Sequence, residues 1–271
     1  MATTAVRVLP SPEAIGDDVA RRIVQRIESA SAAGRRFLLG CPTGRTPRPV
    51  YAALAREARE RQLDLSVVVL VMMDEYLVVG PHESLQYAPA NQPWACHHFA
   101  RVEIAAQLNG GLSTAHRLRE DSVWFPDPRD PEAYDARIAD AGGIDFFMLA
   151  SGASDGHVAF NQPGSARDSR TRIIPLSDKT RRDNLMTSPA FGTLDAVPRS
   201  GVSVGIATIA TAREAVMIVW GASKRETLRR MLGASRYEAD WPATVIHEVA
   251  VREIVSDAAA GATISPSRPA S

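Results

Sequence analysis

One run of eight residues, Ser-Val-Val-Val-Leu-Val-Met-Met at positions 66–73, constrains this chain more than any other feature. It shows no alternation of apolar and polar residues, so a strand built from it must be covered on both faces, as inside a parallel sheet. It is also far too short to span a bilayer. Residues 37–40, 144–149 and 215–220 have the same apolar character. Between these runs lie segments with helical spacing. Ser11, Pro12 and Glu13 form a helix start, after which Ile15, Val19, Ile23 and Ile27 recur every four residues on one face. Residues 47–62 read as a second helix with Val50 and Leu54 inward. This alternation predicts an α/β fold with a mostly parallel central sheet flanked by helices, and ligands bound just beyond the carboxyl ends of its strands. The proline-rich residues 122–131 read as a surface loop. Residues 1–257 are expected to form one domain and 258–271, small and polar, a disordered tail.

The charges exclude some partners. Lys+Arg and Asp+Glu both number 31, so no excess points to nucleic acid or to an anionic membrane. Cys41 and Cys96 make neither a disulfide framework nor a metal-ligand spacing, and His82, His97 and His98 are not spaced like a zinc site. There is no Walker loop or dinucleotide fingerprint, so no cofactor or metal is expected. The first residues lack a basic segment followed by an apolar run, which makes a cytoplasmic protein the expectation.

Four places carry candidate chemistry. Residues 41–47, Cys-Pro-Thr-Gly-Arg-Thr-Pro, join a strand to a helix that Thr46 can cap and Pro47 can begin. Free backbone N–H groups there suit a phosphate, with Arg45 adding a contact; the same residues would also make an ordinary turn. Asp74 and Glu75 follow the most apolar strand, where one of them can act as a general base and where a helix cap is the alternative. Asp155 precedes His157 by two residues among glycines, so it can orient the imidazole and fix its tautomer. Lys224 falls in the first turn of a helix that Ser223 can cap; a cation there opposes the helix dipole unless an anion binds. Arg225, Arg229 and Arg230 read as a solvated helix face.

Taken in order, these motifs resemble the glucosamine-6-phosphate deaminase/isomerase family, relatives of the 6-phosphogluconolactonases. The matching stretches are Pro-Thr-Gly-Arg-Thr-Pro at 42–47, Met-Asp-Glu-Tyr at 73–76, Gly-Gly-Ile-Asp at 142–145, Asp-Gly-His-Val-Ala-Phe-Asn at 155–161 with Pro-Gly-Ser at 163–165, Asp-Ser-Arg-Thr-Arg at 168–172 and Gly-Ile-Ala-Thr-Ile at 205–209. Phe160 and Asn161 favour the deaminase branch. The resemblance implies a Rossmann-like three-layer sandwich and metal-free chemistry. Asp74 would move a proton between C1 and C2 of an open-chain amino sugar, and His157, helped by Asp155, would open the ring. Thr43, Gly44, Arg45, Thr46 and Lys224 would hold the phosphate of a sugar-phosphate substrate.

The departures are specific. Gln162 stands where the family has a glutamate that partners the catalytic histidine, and Met186 where it has a phosphate-binding arginine. Arg45 occupies a position that is usually small; it supplies the missing charge or fills the pocket. Ile174 replaces a basic residue in the segment, near Ser165 to Ile174, where regulated members bind effectors at a subunit interface, and a homo-oligomer is among the partners to expect for this chain. The resemblance therefore supports an isomerase or deaminase acting on an amino-sugar phosphate or close analogue, with a sugar lactonase and a catalytically altered sugar-phosphate binding protein as alternatives.

Overall fold

The computed structural model describes residues 4–261. Ser11 caps the first helix by accepting a hydrogen bond from the Ala14 amide, and that helix, α1 (Pro12–Ala32), follows strand β1 (Ala5–Leu9). Then come β2 (Phe37–Cys41), α2 (Arg48–Arg61) and β3 (Val68–Met72). Strands β4 (Asp74–Val79) and β5 (Leu85–Tyr87) precede helix α3 (Cys96–Phe99), which runs through a π-helical turn (Ala100–Ala105) into α4 (Ala106–Asn109). Next are β6 (Val123–Trp124), α5 (Glu132–Asp140), β7 (Phe146–Ala150), β8 (Arg172–Pro175), α6 (Asp178–Thr187) and β9 (Ser200–Ser203). The described part ends with α7 (Ile206–Ala210), β10 (Glu214–Val219), α8 (Arg225–Gly233), β11 (Val251–Asp257) and α9 (Ala258–Gly261).

Seven strands form one parallel sheet in the order β1-β11-β10-β7-β2-β3-β6. Successive side chains of a strand leave on opposite faces, and here both faces are covered. Phe37, Leu39, Leu70 and Met72 pack with α1 and α2, whereas Leu38, Val69, Val71 and Leu149 pack with α5, α7 and α8. Three layers result, as expected from the apolar runs. From β2 the chain builds outward through β3 and β6, and from β7 it builds the other way through β10 and β11. The boundary between β2 and β7 is therefore the switch point, where the loops leaving the strands diverge and open a crevice.

The second sheet was not expected. It is antiparallel, in the order β5-β4-β9-β8, and β4 begins immediately after β3 and Met73. The Val204 amide donates to the Met73 carbonyl at 2.8 Å, so the chain passes between the two sheets at that residue. Asp74 and Glu75 thus open a strand of their own.

Three other expectations are corrected. Within residues 122–131, Val123 and Trp124 pair with Leu70 and Val71 as an edge strand, because the apolar pair is worth more on the sheet than in solvent. The tail does not begin at 258: Ala258–Gly261 is helical, with the Ala260 amide donating to Asp257 at 2.8 Å, and residues 262–271 lie outside the described residues. Neither Thr46 nor Ser223 caps a helix. Pro47 itself is the cap residue of α2, and Lys224 that of α8 after a turn over Ala222–Lys224. No helix among the described residues is long and apolar enough to cross a membrane.

Candidate active site

The four central strands β10, β7, β2 and β3 end on one side of the sheet, and the segments that follow them line a single cavity. Thr43, Gly44, Arg45 and Thr46 come from the β2–α2 loop, Asp74 from the start of β4 just after β3, His157 from the loop after β7, and Lys224 from the turn after β10. Eight of the nine residues named for catalysis or phosphate binding thus lie in or against this cavity, since Asp155 stands directly behind His157. The ninth, Gln162, does not.

Asp74 is buried, and desolvation pushes its carboxyl up to about 7. The Cys96 thiol donates to Asp74 Oδ1 at 3.3 Å and, with His157, pulls in the opposite direction, while Glu75 pushes it further up. Burial holds the Cys96 thiol well above its ordinary range, so it stays protonated and remains a donor. Thr43 Oγ1 lies 3.7 Å from the same sulfur. Glu75 has a different task. Its side chain is fully buried and accepts from the backbone amides of Tyr76, Cys96 and His97, and His97 Nδ1 sits 2.5 Å from Oε2. It therefore caps α3, whose first residue is Cys96. His97, stacked on Phe125 at 3.6 Å, is part of that support.

Asp155 Oδ1 is 2.7 Å from His157 Nδ1. A carboxylate only accepts, so Nδ1 carries the proton and Nε2 is left as the basic atom of the ring. Burial pushes Asp155 up, but hydrogen bonds from His157 and from Thr180 outweigh it and hold the carboxyl well below the usual range. Thr180 Oγ1 donates to Oδ2 at 2.8 Å. The pair needs Gly152: a Cβ there would stand 2.2 Å from His157 Nδ1 and 2.6 Å from Asp155 Oδ1. Asp183 of α6 also borders the cavity, with Oδ2 accepting from the Ser154 amide at 3.0 Å. Ligand atoms of Asp155, His157 and Asp183 lie within 4.8 Å of one another. Nδ1 and both Asp155 oxygens are taken up by the bonds to His157 and Thr180, and one Asp183 oxygen by the bond from the Ser154 amide.

Lys224 is buried and donates to the Ser151 carbonyl. Desolvation lowers its ammonium to about 8; Asp183 and Asp155 oppose this and Arg45 adds to it. Arg45 does not fill the cavity. It is exposed, with its guanidinium 4.9 Å over the Trp220 ring, and the Trp220 indole donates to the Thr46 carbonyl at 2.9 Å. Gly44, at φ 84°, supplies the left-handed turn that bends this loop around the rim. Met186 is exposed at the cavity edge.

Gln162 is turned away from His157. Its Nε2 donates to the Pro175 carbonyl at 2.7 Å and its Oε1 accepts from the Ser177 amide at 2.9 Å. A carboxylate could make the second bond but not the first, so the neutral amide suits the backbone it meets. Cys96 and Thr180 are the residues that the sequence did not reveal. They touch Asp74 and Asp155 from 22 and 25 positions away, and neither sits in a local motif.

A cavity at a switch point, with a buried carboxyl and an aspartate-oriented imidazole facing into it, is an arrangement that can move protons to and from a bound small molecule. Residues 10–255 match the family model described as glucosamine-6-phosphate isomerases/6-phosphogluconolactonase, and the chain belongs to that family. A glucosamine-6-phosphate deaminase of Mycolicibacterium smegmatis is 34% identical over 259 residues, 94% of this chain and 91% of the relative. One from Rhodopirellula baltica is 32% identical over 225 residues, 83% of this chain and 82% of the relative. Among solved structures, a monomeric glucosamine-6-phosphate deaminase superposes with a TM-score of 0.78 at 24% identity, covering 95% of this chain and 99% of that one. A 6-phosphogluconolactonase from Trypanosoma cruzi gives 0.71 at 18% identity, covering 97% of each chain. These two structures share the fold.

Proposed function

We propose that the protein interconverts an aldose and a ketose phosphate by proton transfer between C1 and C2, and releases ammonia when C2 carries an amine. The carrying observation is a buried carboxyl, Asp74, pushed up to about 7 in the same cavity as the Asp155–His157 pair. A group near its midpoint at neutral pH can take a proton and return it. His157 Nε2 takes the proton of the anomeric hydroxyl and delivers it to the ring oxygen, which opens the sugar. Asp74 removes the C2 proton beside the new carbonyl and returns it to C1, while the proton given up by the C2 hydroxyl or ammonium goes to the C1 oxygen. With an amine at C2 this leaves an imine, which water hydrolyses to ketose and ammonia. The β2–α2 loop, Arg45 and Lys224 hold the phosphate, and the curated deaminase relatives support glucosamine 6-phosphate as the first substrate to try.

The test is ¹H NMR in D₂O with hexose and hexosamine 6-phosphates. Loss of the C2 proton signal with appearance of ketose is the expected result. Tight binding with neither exchange nor turnover on any of them would overturn the proposal and leave a binding protein. A lactone hydrolase would use His157 as base for water and leave Asp74 without a proton to move. Lactone turnover that survives in Asp74→Asn would favour that reading.

A further inference from the structure

Helix α6 meets the loop that carries Asp155 and His157 through two groups one helical turn apart. Thr180 reaches Asp155 Oδ2, and Asp183 reaches the Ser154 amide. Thr180 is completely buried, and of the three oxygens its hydroxyl can reach, Asp155 Oδ2 at 2.8 Å is the nearest and carries the charge, so its donation goes to the carboxylate. Ser177, the cap of α6, holds it in turn: Ser177 Oγ lies 3.0 Å from Thr180 Oγ1 and accepts from the Thr180 amide at 3.2 Å. Gln162 closes the arrangement, its Oε1 accepting from the Ser177 amide and lying 3.3 Å from Thr180 Oγ1. The two oxygens of Asp155 are thereby divided, Oδ1 for His157 and Oδ2 for Thr180.

We propose that Thr180 is a positioning residue for the Asp155–His157 pair, drawing off part of the carboxylate's charge so that the imidazole both binds and releases its proton during ring opening. This rests on the reading of His157 as the ring-opening acid–base. Without the hydroxyl, the carboxylate charge concentrates on the imidazole, the imidazolium is stabilised, and Nε2 gives up its proton less readily. Among the described residues, the other charged or titratable groups facing this pair are Asp74 from β4, Asp183 from α6 and Lys224 from the turn after β10. None of them touches Asp155 Oδ2, so none replaces the lost donor.

The test compares Thr180→Val, which removes the hydroxyl, with Thr180→Ser, which keeps it. In Thr180→Val the His157 ring resonances are expected to titrate about one pH unit higher than in the parent, with kcat down by about tenfold and KM within about twofold. Thr180→Ser should return both readouts to the parent values. Should valine disturb the fold, judged by near-UV circular dichroism, Thr180→Ala gives the same two readouts. A folded variant without the hydroxyl that titrates and turns over like the parent overturns the proposal. So does a serine variant that behaves like valine, because the effect would then be one of packing. The NMR titration needs no substrate: a raised midpoint without turnover on any sugar would sink the proposed reaction and leave the role of Thr180 standing.

Discussion

Asp74 is the side chain on which the proposed chemistry and the stability of the protein meet. Its carboxyl is raised to about 7 in the folded chain, chiefly by burial, so the native state prefers the protonated form. For an acid raised in this way, the contribution to stability is fully present below the ordinary carboxylate range and is lost as pH rises through about 7. At about pH 8 the ionised group costs the native state on the order of 4 kcal/mol, since each pH unit between its folded and unfolded midpoints is worth about 1.4 kcal/mol. Asp74→Asn removes that cost while keeping an oxygen for the Cys96 thiol. Thermal unfolding should show the variant more stable than the parent near pH 8 and no more stable near pH 4, while kcat falls roughly 10²–10⁴-fold. A variant destabilised at both pH values would mean that the carboxyl is ionised and well solvated, contrary to its buried setting.

At the scale of elements, the two adjacent acids part company because they leave β4 on opposite sides. Asp74 faces the cavity; Glu75 faces α3 and satisfies its first amides. Glu75→Ala would strand the Cys96 and His97 N–H groups in an apolar surrounding at about 2–4 kcal/mol. Denaturant unfolding should show that loss, and a change below about 0.5 kcal/mol would mean that water or another group caps α3 instead. The sequence showed both acids but could not divide them, since the partners of Glu75 lie 21 and 22 residues away. The same distance rule separates what was legible from what was not. The apolar runs of β2, β3, β7 and β10 declare a strand covered on both faces, and the glycines around Asp155 and His157 declare a tight local loop. The second sheet gave no such signal, because β8 and β9 are four residues each and β5 three, and their pairing depends on partners far along the chain. The motif places Gln162 beside His157, yet its side chain follows the backbone at the start of α6.

For the whole molecule, the cavity joins groups that come from different sheets and respond to pH in opposite senses. Asp74 opens β4 of the antiparallel sheet, and Lys224 follows β10 of the parallel one. Burial raises the acid to about 7 and lowers the ammonium to about 8, because both are desolvated and each then favours its neutral form. On the proposed mechanism Asp74 must be ionised to take the C2 proton, so kcat should climb as pH rises toward about 7 and level off above it. Lys224 must be charged to hold a phosphate, so KM should be flat below about 8 and rise as the ammonium is lost above it. The two limbs separate cleanly because one belongs to the reacting complex and the other to binding. Steady-state rates from about pH 5.5 to 9.5 measure both, and Lys224→Arg, which stays charged throughout, should abolish the alkaline rise in KM while leaving the acid limb of kcat in place. An alkaline rise that persists in Lys224→Arg would assign it to another group and remove Lys224 from the phosphate site.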